Sequence, residues 1–547
     1  MTKPYLVIGS GLSALGSIKA LNKQGIFPDV IDTSIELDKD SLEIKDRLKN
    51  TNQRDWNEAD IKKILMDCPE NNKIFSIPRK TSFNSDFFYG DSQALNDIKS
   101  IGAQPPFSFA LGGLAEGWGA AFLPPAKEDL GDWIYEYEEI HKNFQEILQD
   151  MHVTGEIDDL NSKFPLLKEQ LNKLQYSKEA TELLQNLKKG NNTKTILIGK
   201  SRLLLNTMEQ DFISPHLKIF ADRQPANLID YKRVEMQKDW HWRVHDAIYK
   251  PSVEIKLLAE EGKITLRSGL RVTSILVNSD KTMSIETVDM LSKNSSCESY
   301  QTVFLAAGCI NTARIILNSK PFKGKKVRVK TRGGFLLPAV SFKKINVPLK
   351  IKNTMPDFFI EIFDNCLNSW AHIQVALQNE HFENRMNSLK QKIPVFNKIM
   401  QGIQERAFVV FVSLHSNQAG HYELELDPKL TSIYGPRLNT IYVKKNYNPF
   451  KNLPLLFKIL LLFLKSKVLV SPFGKSNSGT FHVGGAFPMK NNPKQWNETN
   501  KLGELCNIKN LHLVDSAIFP SLPGTTIGLL SKVMAYMITT KVIKRKS

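Results

Sequence analysis

Hydrophobic positions open the chain as a short unbroken run, Tyr5 to Ile8, which reads as a buried parallel strand. Glycines interrupt the run at once, helix formers continue to Gly25, and a second apolar stretch, "PDVIDTS", carries Asp32 at its end. Residues 37–100 show no period of two and are dense in charge, which predicts helical surface. "DAIYKPSVEIKLLAEEGKITLRSGLRVTSI" (246–275) predicts helix, strand, turn and strand. "VFLAAGCINTARIIL" (303–317) predicts a strand, an Ala-Ala-Gly turn and a helix. "NLHLVDSAIFPSLPGTTIGLLSKVMAYMITTKVI" (510–543) predicts a strand that delivers Asp515, a Pro-rich turn, and a helix from about Thr525. Between about 335 and 470 the pattern changes. "DFFIEIF", "AHIQVALQ", "AFVVFVSLHS" and "HYELELD" alternate in part, and Gly-rich junctions are missing, which predicts a separate sheet that shapes a substrate site.

The first of these segments carries Gly9-x-Gly11-x-x-Ala14 between strand and helix, with Asp32 beyond. Gly9 suits a tight turn, and Gly11 lets a pyrophosphate approach the backbone. Ala14, with Gly16, keeps helix and strand close, and the helix N-terminus offers free N–H groups to phosphates. Asp32 is placed to accept hydrogen bonds from ribose hydroxyls. Strand, helix and acid in register predict a dinucleotide site; FAD and NAD both fit it, and the acid argues against NADP. "FALGGLAEGWGAAFLPP" (109–125) adds Gly112, Gly113, Gly117, Gly119 and Trp118, a bare backbone and one large ring suited either to a flat ligand or to a tight loop on the core. Ala307 and Gly308 mark a second βα junction, and Asp515 a third. Asp515 reads either as a ligand for a ribityl or phosphate-linked hydroxyl or as a helix cap.

With 547 residues, 41% hydrophobic and 24% charged, the chain is globular in composition and long enough for two interleaved domains. Five scattered cysteines form no CxxC pair, which argues against a disulfide framework and a zinc site and fits a reducing, cytoplasmic setting. The formal charge of +17 suits an anionic partner. No zinc finger, RNP-type motif or basic zipper accompanies it, so a membrane surface is the expected partner rather than nucleic acid. No apolar run reaches the ~18 residues of a span. "KNLPLLFKILLLFLKSKVLV" (451–470) instead sets Lys451, Lys458 and Lys465 seven apart beside a wide apolar face. That pattern fits a helix in the interface of the inner membrane, or a buried helix with one solvated edge.

"IGSGLSALG", "LGGLAEGWGAAFLP", "FLAAGCINTARIIL" and "FHVGGAFPM … NLHLVDSAIFPSLPGTTIG", in this order, resemble the glucose–methanol–choline oxidoreductase family, most of all its branch among bacterial sugar and cell-surface polysaccharide enzymes. The resemblance implies an α/β fold: a discontinuous Rossmann-like domain holding FAD noncovalently, and an α+β substrate domain with a mostly antiparallel sheet. Residues 1–36, 101–130, 190–335 and 475–547 would form the first and 336–474 the second, with 37–100 a charged helical insertion and 131–189 a helical segment. It implies that His482 lies near flavin N5 as the base for an alcohol, with Gly484 and Gly485 letting the chain pass the ring system. The chain departs from the family where a second His or Asn usually precedes a proline. Leu522 stands there, before Pro523, so either Thr525 or Thr526 supplies the hydrogen bond or the chemistry is altered.

The expected activity is therefore FAD-dependent oxidation of a CH–OH group in a sugar, glycan precursor or other alcohol, with the electron acceptor left open. The alternatives are a flavin-dependent reductase or isomerase of a polyprenyl or other lipid alkene, favoured by segment 453–470 and Leu522, and a non-catalytic flavin-binding scaffold. His241 and His245 are four apart but lack a third metal ligand, and packing is the preferred reading beside Trp240 and Trp242. His372, His415 and His421 fall in strand patterns, which leave open which of them faces the pocket.

Overall fold

The computed structural model describes residues 2–51, 55–57, 59–60, 63, 87–89, 97–169, 171, 178–206, 246–344, 356–377, 397–445, 449–472, 475–476, 481–505 and 508–546. His241 and His245 lie outside these residues. Three sheets organise what is described. In the first, β1 (Lys3–Ile8), β2 (Asp29–Ile31), β5 (Thr265–Arg267), β6 (Leu270–Val277), β7 (Met283–Asp289) and β8 (Ser295–Leu305) run in the order β5-β2-β1-β8-β7-β6, and β19 (Leu511–Leu513) joins β8. The first half of β8 pairs antiparallel with β7, and its last three residues pair parallel with β19. Leu6, Val7, Val30, Val303 and Phe304 are fully buried, as expected of parallel strands covered on both faces.

Register then places the chemistry. Ile8 sits beside Ile31 and Leu305, and Leu305 beside Leu513. Four strands therefore end together, and the residues just beyond them, Gly9, Asp32, Ala306 and, after Val514, Asp515, meet at one edge of the sheet. Ligands of open α/β sheets bind at such carboxyl ends. α1 (Leu12–Asn22) leaves β1 there and packs along α9 (Gly528–Lys546), which also meets α3 (Tyr137–Leu148). A methyl group on Gly16 would lie 3.0 Å from Ala535 Cβ and closer still to the Lys532 carbonyl oxygen. Gly16 thus admits α9, not the strand expected from the sequence. α5 (Pro251–Glu260) leads into β5, and α6 (Cys309–Asn318) leaves β8. In the charged segment after β2, α2 (Lys39–Asn50) starts at Asp38, which accepts from the Ser41 N–H at 2.9 Å.

The second sheet is antiparallel: β4 (Ile196–Lys200), β10 (Gly333–Ser341), β11 (Phe358–Asp364), β12 (Ser369–Ala376), β13 (Ala407–Leu414) and β16 (Val468–Val470) in the order β16-β10-β13-β12-β11-β4, with β17 (Lys475–Ser476) on β10. α7 (Asn397–Gln404) precedes β13. One face, with Ile360, Ile362, Ile373, Val375, Val410 and Val412, forms a core with α4 (Lys178–Gly190) and α8 (Pro449–Lys465). Alternation turns Glu361, His372, Gln374 and Phe411 to the opposite face. The third sheet, β18-β9-β14-β15-β3, joins β3 (Ile98–Ile101), β9 (Lys326–Thr331), β14 (His421–Ser432), β15 (Gly435–Val443) and β18 (Val483–Gly484). The fold is α/β, with a largely parallel sheet and a separate antiparallel one. Sheet membership cuts across the boundaries drawn from the sequence: β4 belongs with residues 333–376, and the hairpin 421–443 with β3, β9 and β18. Helix α9 starts at Gly528 rather than near Thr525, because Arg332 Nη1 donates to the Gly524 and Thr525 carbonyls and holds the turn open.

Candidate active site

A cavity of about 430 Å³ opens where the four parallel strands end and runs under the antiparallel sheet. Gly9, Gly11, Asp32, Gly112, Gly113, Trp118, Ala307, Gly308, His482, Asp515 and Thr526 line it; Ala14 and Thr525 do not. Ala14 is buried in the main core, and Thr525 is fully buried with its carbonyl bound to Arg332.

The two glycine loops face one another across one end. A methyl group on Gly113 would stand 3.7 Å from Gly11 Cα, and one on Gly11 3.6 Å from the Gly112 oxygen. Gly11 is the N-cap of α1, with no side-chain cap and no acid in the first turn. The leading N–H groups are therefore left for an anion. Gly9 has a different duty: at φ +109° it lies against the chain after β8, and a methyl group there would come within 2.9 Å of the Ala306 carbonyl carbon. Gly112, at φ +88°, is likewise crowded by Glu116 Cδ and the Ser252 nitrogen, both 2.9 Å from where its Cβ would be.

Asp32 follows β2 and accepts from the Ser34 N–H at 2.6 Å and from the Ser34 hydroxyl at 3.1 Å; burial still pushes its carboxyl up to about 6. Beyond it the wall is cationic. Arg271 and Arg314 are both buried and both line the cavity, and Arg271 stands 4.6 Å from the rings of Phe109 and Tyr434. Arg314 donates to the Pro436 carbonyl through Nη2, while its Nη1 and Asn311 Oδ1 have no partner among the described residues. This end was not anticipated from the sequence.

Asp515 acts as a cap at the cavity wall. Oδ2 accepts from the Gly308 N–H at 2.9 Å and from the Thr312 hydroxyl, and Oδ1 from the Ala517 N–H at 2.8 Å. It ties β19 to the start of α6, and burial pushes it up to about 6. Trp118 donates Nε1–H to the Tyr249 carbonyl at 2.8 Å, and the start of α9 at Gly528 lies against its ring. Thr526 Oγ1 has no partner among the described residues.

His482 lines the same cavity from just before β18, and the Thr331 hydroxyl donates to its carbonyl at 3.3 Å. Burial holds the imidazole well below its ordinary value, and Arg332 and His372 push the same way. It is therefore neutral at pH 7. The glycines after it do not face the cavity. A methyl group on Gly484 would meet Leu522 Cδ2 at 2.8 Å, and one on Gly485 the Phe519 oxygen at 2.9 Å. They are bare to admit the turn 516–522, which corrects the expectation that they face a ring system.

His372 and Glu361 on β12 and β11 form a fully buried pair, with Nδ1 2.5 Å from Oε1. Gln374 Nε2 lies 2.9 Å from His372 Nε2, and Gln374 lines the cavity. Burial pushes Glu361 up and His372 down to about 3, which favours one proton held between them over a separated ion pair. Of the other strand histidines, His415 accepts from the Asn417 N–H at 3.3 Å and His421 lies 3.6 Å from Glu423; neither lines the cavity.

No protein-family model and no curated protein sequence matches the chain. Solved structures do. Pyridoxine 4-oxidase from Mesorbium loti superposes with a TM-score of 0.55 at 10% identity, over 99% of this chain and 99% of that one. A fungal aryl-alcohol oxidase superposes with a TM-score of 0.55 at 9% identity, over 100% of this chain and 99% of that one. The chain shares the fold of these two oxidases along its whole length.

Proposed function

We propose that the chain is a flavoenzyme of the glucose–methanol–choline type, which binds FAD noncovalently in this cavity and oxidises a CH–OH group. One observation carries the reading: a single cavity joins an uncapped helix N-terminus between bare glycines to a neutral, half-buried imidazole more than 450 residues further along the chain. The residues suit the cofactor. Gly11, Gly113 and the first turn of α1 would take the pyrophosphate, and Asp32 a ribose. The unpartnered Arg314 Nη1, Asn311 Oδ1 and Thr526 Oγ1 offer polar contacts to a large ligand. When bound, FAD supplies a hydride acceptor.

The chain's own part is proton handling and exclusion of water. His482, held neutral, accepts the hydroxyl proton as the carbinol hydrogen leaves as hydride, so the alcohol becomes a carbonyl. Gln374 is positioned by the Glu361–His372 pair to hydrogen-bond the same oxygen, a role the sequence had offered to Thr525 or Thr526. Tyr89 stacks on Phe481 at 5.1 Å, and both line the cavity, as do Phe411, Pro356 and Ala376. This lining favours an alcohol with an apolar body over a bare sugar; a lipid-linked glycan precursor or an aryl alcohol satisfies it. Both proteins that share the fold are oxidases by name, and one of them acts on aryl alcohols by name, which supports the reading.

The test is the purified protein's spectrum. Flavin bands, FAD released on denaturation, and anaerobic bleaching by some member of a panel of aryl, aliphatic and lipid-linked alcohols are expected. A protein that neither contains nor takes up FAD, or a yellow protein that no alcohol bleaches, would overturn the assignment. Peroxide release during turnover would mark O₂ as the acceptor.

A further inference from the structure

Helix α8 buries Leu455, Ile459, Leu462 and Phe463 against the antiparallel sheet, yet its outer side is not polar. Leu453, Phe457, Leu461 and Leu464 are 55, 59, 40 and 51% exposed. Their spacings of four, four and three place them in one stripe. Past the helix, Phe342, just after β10, donates its N–H to the Lys467 carbonyl at 2.9 Å, which brings Lys343 and Lys344 to the end of α8. Soluble surfaces scatter large apolar side chains singly; four in one stripe mark a contact surface.

The surround is cationic. Lys465, Lys467, Lys343 and Lys344 are exposed around the apolar stripe, and among the described residues Lys344 is the one that pairs with an acid, Glu405, at 2.8 Å. The end of α4 brings Lys189 alongside, because Gly190 lies against the Lys465 side chain. Residues 449–472 contain no Asp or Glu. No helix among the described residues is long and apolar enough to cross a membrane.

We propose that this face docks onto an anionic lipid bilayer, with α8 lying in the interface plane. The apolar stripe enters the acyl boundary and the lysines meet the headgroups. Charge complementarity selects this occupant. A second copy on the same face would bring two lysine rims together in a chain that already carries +17. Docking does not depend on the oxidation assigned above; only its consequence, delivery of a lipid-borne alcohol, does.

The test is flotation of the full-length protein with phosphatidylglycerol–phosphatidylcholine vesicles, read by protein mass rather than flavin. The wild type is expected to float at low salt, to be released at high salt, and to ignore pure phosphatidylcholine. Phe457→Glu with Leu461→Glu should cut the bound fraction about tenfold or more. Lys465→Gln with Lys467→Gln should cut it less and flatten the salt dependence. All four side chains are on the surface, so circular dichroism and flavin content should not change; Phe457→Ser serves if the glutamates disturb folding. Absence of flotation at low salt, equal binding to neutral vesicles, or unchanged binding of the double glutamate variant would overturn the proposal. So would a dimer mass in light scattering that the same variant abolishes, which would assign the face to a second copy.

Discussion

Gly9 and Gly11 are two residues apart in one turn, and the structure gives them opposite expected phenotypes. Alanine at Gly9 is forced to φ +109° and overlaps the backbone at Ala306. Left-handed strain of about 1–3 kcal/mol and overpacking of about 1–3 kcal/mol sum to about 2–6 kcal/mol, a large share of a marginal native stability. Alanine at Gly11 meets nothing closer than 3.6 Å, at φ −76° and ψ −170°, an ordinary extended conformation. Its cost should stay within about 0.5 kcal/mol and could be repaid by the stiffer unfolded chain. The added methyl, however, stands between the two glycine loops where a pyrophosphate would lie. Losing one or two charge-assisted hydrogen bonds of about 1.5–3 kcal/mol each weakens dinucleotide binding by about tenfold to ten-thousandfold. The assay is a urea transition on flavin-free protein, so that ligand linkage does not mask the fold effect, followed by FAD titration. Gly9→Ala should lower the midpoint clearly. Gly11→Ala should keep the midpoint and lose the flavin. A Gly11→Ala protein with full flavin occupancy, or a Gly9→Ala protein as stable as wild type, would refute the division of labour.

His482→Ala should retain FAD and lose alcohol-driven flavin reduction by about 10²–10⁴-fold; stopped-flow bleaching reads it. Because burial lowers the His482 imidazole, the neutral base persists to lower pH than usual. The acid limb of kcat/KM should fall well below pH 6.5, and a limb at or above that value would contradict a buried base. Glu361→Gln keeps the side-chain volume but removes the proton shared with His372. One weakened hydrogen bond predicts a kcat about tenfold lower at unchanged KM, with an altered pH profile; an unaltered profile would make the pair purely structural. Leu522→Asn should not restore a second polar group to the cavity. It should instead destabilise the fold by about 2–5 kcal/mol, read as a drop in urea midpoint, because Leu522 is fully buried.

The strand ends were legible because apolar runs there stop on Gly or Asp, and register then brings distant stops together. The sequence motifs found Gly11, Asp32, Trp118, Thr526 and His482 on the cavity wall. The glycines were harder to assign. A glycine announces that something comes close, not what does. At Gly16 the visitor is α9, at Gly484 the Leu522 side chain, at Gly9 the Ala306 carbonyl. Arg271 and Arg314 were missed for a related reason: a basic residue in a strand or helix reads as solvated until the fold shows both buried on one wall. Glu361 and His372 lay in strands of partial alternation, where a period of two says only that a side chain opposes the core. Whether that face meets water or a buried cavity is decided by what packs over it, and this comes from elsewhere in the chain.

The turn before α9 explains why the second polar group should come from the sheet. Leu522 exchanges backbone and side-chain hydrogen bonds with Ser416 at 2.9 Å, which pins the turn to the chain after β13. Two residues on, Gly524 is bare because it sits on β12: a methyl group there would lie 2.6 Å from the Trp370 carbonyl oxygen and 3.5 Å from the His372 backbone nitrogen. The turn is thus pressed flat onto the antiparallel sheet, and position 522 points into packed core rather than toward His482. A polar side chain at that place would be buried without reaching the substrate. The strand beneath the turn has the opposite geometry, with His372 anchored from behind by Glu361 and relayed forward by Gln374 to the cavity wall. A rigid strand holds a proton-handling group more firmly than a loop does, and the apolar Leu522 is what lets the loop press down and seal that strand from water.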